Sequence, residues 1–343
     1  MNKLKMAVLL LGTVLLASCM PAESWELTSK DGKVRFVLEN KEADGVTNLS
    51  YSVYFNDTVA VEKSLLGLVM DKQEYGKDAR FVSAAPVRDI AEAYRLKSGK
   101  RMNAVDDCRE QIFTFRSEKG HDFLLTVRVY EDGVAFRYGF PDADNHTHTI
   151  QSEHTEFAVP VDGKAWIHPY DWNNRKKPSY EQYSENGIDI RSACKHGRGW
   201  AFPMLFHTNG LWMMITEALL DGTYPATHID NSGTFGAYKI RFPEPDEPIV
   251  PDAPEPVSQM PWYTPWRVVI VGDNPDVIFR SQMVSHLNPA SVVQDDSWIK
   301  AGRACWSWWY NGASVRDYKE QLKYADLSAC LLYTSDAADD MQC

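Results

Sequence analysis

The stretch QIFTFRSEKGHDFLLTVRVYEDGVAFRYGF, residues 111–140, constrains the fold more than any other part of this chain. Apolar and polar residues alternate through three segments, and each break carries a glycine, at Glu118-Lys119-Gly120 and Glu131-Asp132-Gly133. Alternation with period two puts one apolar face on a strand, and glycine supplies positive φ at a tight reversal. A chain patterned this way forms consecutive antiparallel strands. The same pattern runs from about residue 25 to residue 243. KVRFVLEN (33–40) alternates, and LSYSVYFNDTVAVEKSLLGLVM (49–70) reads as a hairpin turning at Asn56-Asp57. WAFPMLFHTNGLWMMITEA (200–218) is another, turning at Thr208-Asn209-Gly210. Helical periodicity is almost absent here, and no period of about 20–50 residues repeats. A mainly β fold, a large antiparallel sandwich, follows.

The pattern changes after residue 243. EPDEPIVPDAPEP (244–256) carries five prolines and five acids with no base, which predicts a stiff, solvated loop. TPWRVVIVGDNP (264–275) returns to strand. SWIKAGRACWSWWYNG then reads as a compact apolar strand, and SVRDYKEQLKYADLSA (314–329) sets Val315, Tyr318, Leu322, Ala325 and Leu327 at mostly helical spacing. Strand followed by helix predicts the first βα unit of a (β/α)8 barrel. The last stretch, CLLYTSDAADDMQC (330–343), breaks that helix pattern and shifts composition, and is expected to be a non-native tail on a truncated barrel.

The other end reads as an export signal. Lys3 and Lys5 precede an apolar run from Met6 to Leu16, which leads into Leu16-Ala17-Ser18-Cys19. This order resembles a bacterial lipobox, so Cys19 is the expected lipid site, anchoring the protein to a bacterial envelope membrane. The expected location is the outer membrane, facing the periplasm. The organisation read from the sequence is therefore a signal peptide over 1–18, a sandwich domain over 19–296, a barrel start over 297–329 and a tail over 330–343. Beyond Cys19, five cysteines remain, none at CxxC spacing, and their pairing is left open. A net charge of -11 argues against phosphate-backbone binding, so nucleic acid is not an expected partner.

No GxSxG, HExxH, P-loop or EF-hand signature is present. WIHPYDWNNRKKPSYEQYSENG (166–187) is too long for a hairpin turn and mixes Trp166, Tyr170, Trp172, Tyr180 and Tyr183 with Asp171, Glu181 and Glu185. Flat rings beside carboxylates suit sugar recognition, and several carboxylate oxygens suit a hard cation such as Ca²⁺. An exposed charged loop is the alternative. Glu217 closes an otherwise apolar strand, where an acid is either paired, liganded or at a solvated rim. His146 and His148, in PDADNHTHT, read as a surface loop. Residues 298–310 gather Trp298, Trp306, Trp308, Trp309 and Tyr310.

In this order LTSKDGKVRFVL, YEDGVAFRYGFP, the W…YE..Y loop, the ITEA strand, TPWRVVIVGD and SWIKAGRACWSWW resemble glycoside hydrolase family 97, over roughly residues 25–329. The resemblance implies a galactose-mutarotase-like β-super-sandwich ahead of a catalytic (β/α)8 barrel. It also implies hydrolysis of α-glucosides or α-galactosides in oligosaccharides, with Ca²⁺ at the active site. Glu181, in SYEQYS, is carried over as the sandwich's calcium ligand. Trp308, with Trp309 beside it, is carried over as lining of the sugar pocket, and Glu217 as a further substrate contact. The family's acid and its base or nucleophile lie on later barrel strands, so no residue here is expected to be catalytic. ACWSWW is more similar to the retaining α-galactosidase-type members. Two other readings fit parts of the sequence. One is a non-catalytic glycan-binding lipoprotein. The other is an aldose 1-epimerase, which leaves the Trp-rich βα start unexplained.

Overall fold

In a computed structural model, residues 23–97, 99, 101–170, 183–194, 197–232, 236–245, 247, 254–299, 304–330 and 334–335 are described. Cys19, Glu181 and most of the stretch 330–343 lie outside them. Two compact units emerge, one formed by residues up to Ile90 with Asp107–Leu287, the other by Ala91–Asp106 with the residues from Asn288 onward.

The first unit is the antiparallel sandwich that the alternation predicts. One layer runs Glu23–Thr28, Val34–Ala43, Val46–Phe55 and Thr58–Leu65, each antiparallel to the next. The other orders Arg80–Ala84, Asn103–Arg116, Asp122–Tyr130, Gly133–Phe140, Trp266–Gly272, Leu211–Ala218, Trp200–Thr208 and Gly163–Pro169. Glu156–Ala158, Ala237–Arg241 and His228–Asp230 carry the hydrogen bonding from the first layer round to Trp200 of the second. The expected turns are in place. Asn56 and Asp57 (φ 47° and 62°) and Asn209 and Gly210 (52° and 74°) take the paired left-handed geometry that suits a twisted hairpin. At Gly133 the reason for glycine is space, since a Cβ there would stand 2.2 Å from the Val269 carbonyl oxygen.

Between the layers, Phe36 stacks on Tyr51 at 5.4 Å, and Phe136 packs on Tyr51 at 4.8 Å and on Phe157 at 6.3 Å. The strand Trp266–Gly272 is buried along its whole length, and apart from Arg267 its residues are apolar or glycine. Val269 and Val271 face the inter-layer core, while Trp266, Val268 and Ile270 pack on the opposite side with Met283 and Leu287. Met283 belongs to Met283–His286, one of two short helices, with Asp276–Arg280, that the strand-dominated pattern did not reveal. A small sheet was also missed. It joins Val257–Gln259, Thr147–Glu153, Leu68–Met70 and Gln73–Tyr75.

In the second unit the helix spans Tyr318–Cys330, not 314–329. Asp317 sets its start by accepting hydrogen bonds from the Lys319 and Glu320 amides at 3.0 and 3.2 Å, an N-cap, while Ser314–Arg316 makes one separate 3₁₀ turn. Ala304–Cys305 pairs in parallel with Thr334–Ser335. Two paired residues do not make a barrel, so the barrel start stays an expectation read from sequence. The helix leaves Tyr318, Leu322 and Leu327 exposed.

Candidate functional site

Arg267 stands alone as a charge inside VVIV-type sequence, fully buried, and so demands partners. Its Nε and Nη2 donate to the two oxygens of Glu153 at 2.9 and 2.5 Å. Its Nη1 donates to Glu217 Oε2 at 2.6 Å. Glu217 is Arg267's register neighbour on the adjacent strand. Thr227 supplies the remaining donors to Glu217, its amide at 3.1 Å and its hydroxyl at 2.8 Å. Tyr224 donates to Glu153 at 2.7 Å. Burial works to lower the Arg267 pKa, but Glu153 outweighs it and holds the guanidinium charged. Burial raises the Glu217 carboxyl above its ordinary value, against the opposing pull of Arg267 and the Thr227 hydrogen bonds. Glu217, expected at the substrate, thus has both oxygens engaged by protein donors.

The root of the aromatic loop is also built from buried groups. Tyr170, the last described residue before 171–182, stacks on His228 with ring centroids 3.9 Å apart and donates to Glu247 at 2.9 Å. Arg198 donates to the same carboxylate at 3.1 Å. Glu247 is therefore pinned by two donors, although the proline-rich segment read as solvated. Burial, joined by the charge of Arg241, lowers His228 to about 3, so its ring is neutral. Trp166 packs on Trp212 at 5.4 Å, while Tyr183 is exposed.

In the second unit the tryptophans form a surface cluster. Trp306 lies 5.7 Å from Trp308 and 5.5 Å from Trp309, ring to ring. Trp308 is 39% exposed and Trp309 69%. Both sit in a turn, not on the strand, because the Ser307 carbonyl accepts from the Tyr310 and Asn311 amides at 3.1 and 3.0 Å. Buried Ser307 ties the turn to Ser314 and Gln321 at 2.9 Å each.

His148, read as part of a surface loop, is a bridge. Its Nδ1 lies 2.5 Å from Asp71 and its Nε2 2.9 Å from Asp144. Partial burial opposes the imidazolium, but Asp144 and Asp71 outweigh it and raise the pKa. The stabilisation is complete below the ordinary value of 6.5 and fades as pH climbs through the higher folded value. Melting curves of wild type and His148→Gln between about pH 5 and pH 8 are expected to converge towards the alkaline end. A gap that widens with pH would refute the bridge. Among the described residues no three acidic, histidine or cysteine side chains are grouped to hold a metal ion.

The sandwich and these positions allow comparison with known proteins. Residues 27–289 match the family model described as Glycosyl-hydrolase 97 N-terminal. The chain belongs to glycosyl-hydrolase family 97. A probable retaining alpha-galactosidase of Streptomyces bingchenggensis is 30% identical to this family 97 chain over 283 residues, covering 82% of it and 41% of the relative. The retaining alpha-galactosidase of Bacteroides thetaiotaomicron is 22% identical over 329 residues, covering 89% and 47%. The chain thus spans less than half the length of these relatives. A solved beta-arabinopyranosidase superposes with a TM-score of 0.82 at 25% identity, covering 91% of this chain and 50% of that one. A family 97 enzyme from Pseudoalteromonas sp. strain K8, solved in complex with panose, gives 0.76 at 21% identity, covering 91% and 47%. At that last identity the likeness establishes the fold.

Proposed function

We propose that this chain is the sandwich-bearing part of an exo-acting, calcium-dependent α-glycosidase of the α-galactosidase type, degrading oligosaccharides in the bacterial cell envelope. The observation that carries the reading is the 30% identity over 283 residues to a probable retaining alpha-galactosidase. A second observation agrees with it. The solved beta-arabinopyranosidase, at 25% identity and a TM-score of 0.82, is likewise named for cleaving a pyranoside. The exposed faces of Trp308 and Trp309 offer flat apolar surface of the kind that packs on a sugar ring. Exposed Leu322, Leu327 and Tyr318 in the same unit suit a surface that further chain covers.

Calcium enters through Glu181, whose carboxylate would be one oxygen ligand of a shell completed by others. In the complete protein, Glu181→Gln is expected to raise the calcium concentration needed for activity and to leave the sandwich's melting temperature unchanged. Calorimetric calcium titration reads this, and wild-type binding by the variant rejects the assignment. The envelope location enters through Cys19. A Cys19→Ser variant is expected to lose lipid labelling and leave the membrane fraction, and a variant that stays with membranes excludes the anchor. Reading the source DNA without interruption past codon 329 tests the whole proposal. Further βα units favour the hydrolase, and a stop codon favours a glycan-binding lipoprotein.

A further inference from the structure

The first unit contains a cavity of about 320 Å³ that none of the functions above uses. The small sheet and the adjoining end of the large layer build it. Tyr75 and Met70 come from the hairpin Leu68–Met70 and Gln73–Tyr75, and Phe140 closes the strand Gly133–Phe140. Asp142, Asp144 and His148 come from the segment that follows. The volume is at the small end of the range for ligand pockets, about 300–1,000 Å³, and suits one small ring.

Tyr75 gives the cavity a polar handle on an aromatic wall. Only 4% of it is exposed, and its ring is held edge-on by Phe123 at 5.4 Å and Phe140 at 5.1 Å. Its hydroxyl has no hydrogen-bond partner among the described residues. That hydroxyl is not sealed from solvent: it opens to water as a free donor and acceptor. Tyr75 lines the cavity, so a polar atom placed there would satisfy it.

The surroundings select the ligand's chemistry. Buried Met70, Phe140 and Tyr75 give the cavity an apolar floor. The rim is acidic. Asp71 and Asp144 are held in place by His148, and exposed Asp142 stands beside them. Asp122 is already taken by Arg116 at 2.6 and 2.9 Å. A rim of carboxylates repels an anion, which rules out a phosphate or a uronic acid. No three ligating groups converge there for a metal ion. What fits is a neutral molecule with one apolar face and a ring of hydroxyls, donating to carboxylates at its edge.

We propose that this cavity is a carbohydrate-binding site that takes a single neutral hexopyranose unit, with Tyr75 reaching a hydroxyl or ring oxygen from below and Asp142 and Asp144 accepting hydroxyls at the rim. The site stands on this cavity alone, and a protein with no hydrolytic activity would carry it equally.

The test is methyl NMR on the 343-residue chain labelled at methionine, because Met70 and Met260 both line the cavity. Methyl α-galactoside and methyl α-glucoside are the probes. At least one is expected to shift the Met70 and Met260 signals saturably. Tyr75→Phe is expected to weaken that binding roughly three- to tenfold, the size of one hydrogen bond to a neutral group, without lowering the melting temperature. Asp142→Asn, at an exposed position where folding is not at stake, is expected to weaken it by a similar factor. The proposal is overturned if neither glycoside moves the two signals. It is overturned equally if both variants bind as tightly as wild type, or if calcium chloride displaces the glycoside by occupying the rim.

Discussion

Arg267→Met is expected to lower the stability of the sandwich by about 3–5 kcal/mol, the cost of leaving buried charges without their partner. Two carboxylates depend on this one guanidinium. Glu153 loses a bidentate pair and Glu217 an ion pair at 2.6 Å, and neither has bulk water to turn to, with side chains 0% and 7% exposed. In a domain of this size such a loss lowers the melting temperature by roughly 10 °C. Glu217→Gln should cost less, about 1–2 kcal/mol, because the amide oxygen still accepts from Thr227. The triple change Glu153→Gln, Arg267→Met, Glu217→Gln should recover part of the loss, since no unpaired charge is left buried. Chemical denaturation of the three variants decides. An Arg267→Met protein within 1 kcal/mol of wild type would show that water reaches these groups.

That network shows what sequence reading reached and where it stopped. Glu217 at the end of an apolar strand and Arg267 inside an apolar run are complementary signals, because each is a charge that a buried strand cannot leave unpaired. Read together they predict each other. Read singly, Glu217 looked equally suited to a substrate. Glu153 gave no signal, since it ends a strand of mixed polarity and joins Arg267 from 114 positions away.

The sandwich itself was legible because strand period and turn chemistry are local. Asn56-Asp57 and Asn209-Gly210 turn where their backbone preferences say. The small sheet was not, since strands of three residues such as Leu68–Met70 are too short to show a period. The cavity depends on that sheet, so it was invisible too. His148 looked like surface because its partner Asp71 lies 77 residues away. The Trp308 and Trp309 cluster was evident from composition, but whether it lay on a strand or a turn depended on the Ser307 carbonyl.

The largest expected effect concerns catalysis. Two-carboxylate glycoside hydrolysis needs an acid for the leaving oxygen and a base or nucleophile opposite, and general acid–base help alone contributes about 10²–10⁴-fold. By resemblance to the family, those groups are expected on later barrel strands, and the chain spans 41% and 47% of the two alpha-galactosidase relatives. The 343-residue chain is therefore expected to hydrolyse aryl α-glycosides no faster than buffer, while the complete protein does so at least about 10⁴-fold faster. Turnover by the 343-residue chain that survives purification and disappears on unfolding would place the catalytic pair within it.

Hydrolysis of p-nitrophenyl α-galactoside by the protein expressed from the uninterrupted source gene, with calcium present, measures the central claim most directly. The account predicts release of nitrophenol with the α-galactoside preferred over the α-glucoside. Absence of hydrolysis of both glycosides by that folded, calcium-loaded protein would contradict it.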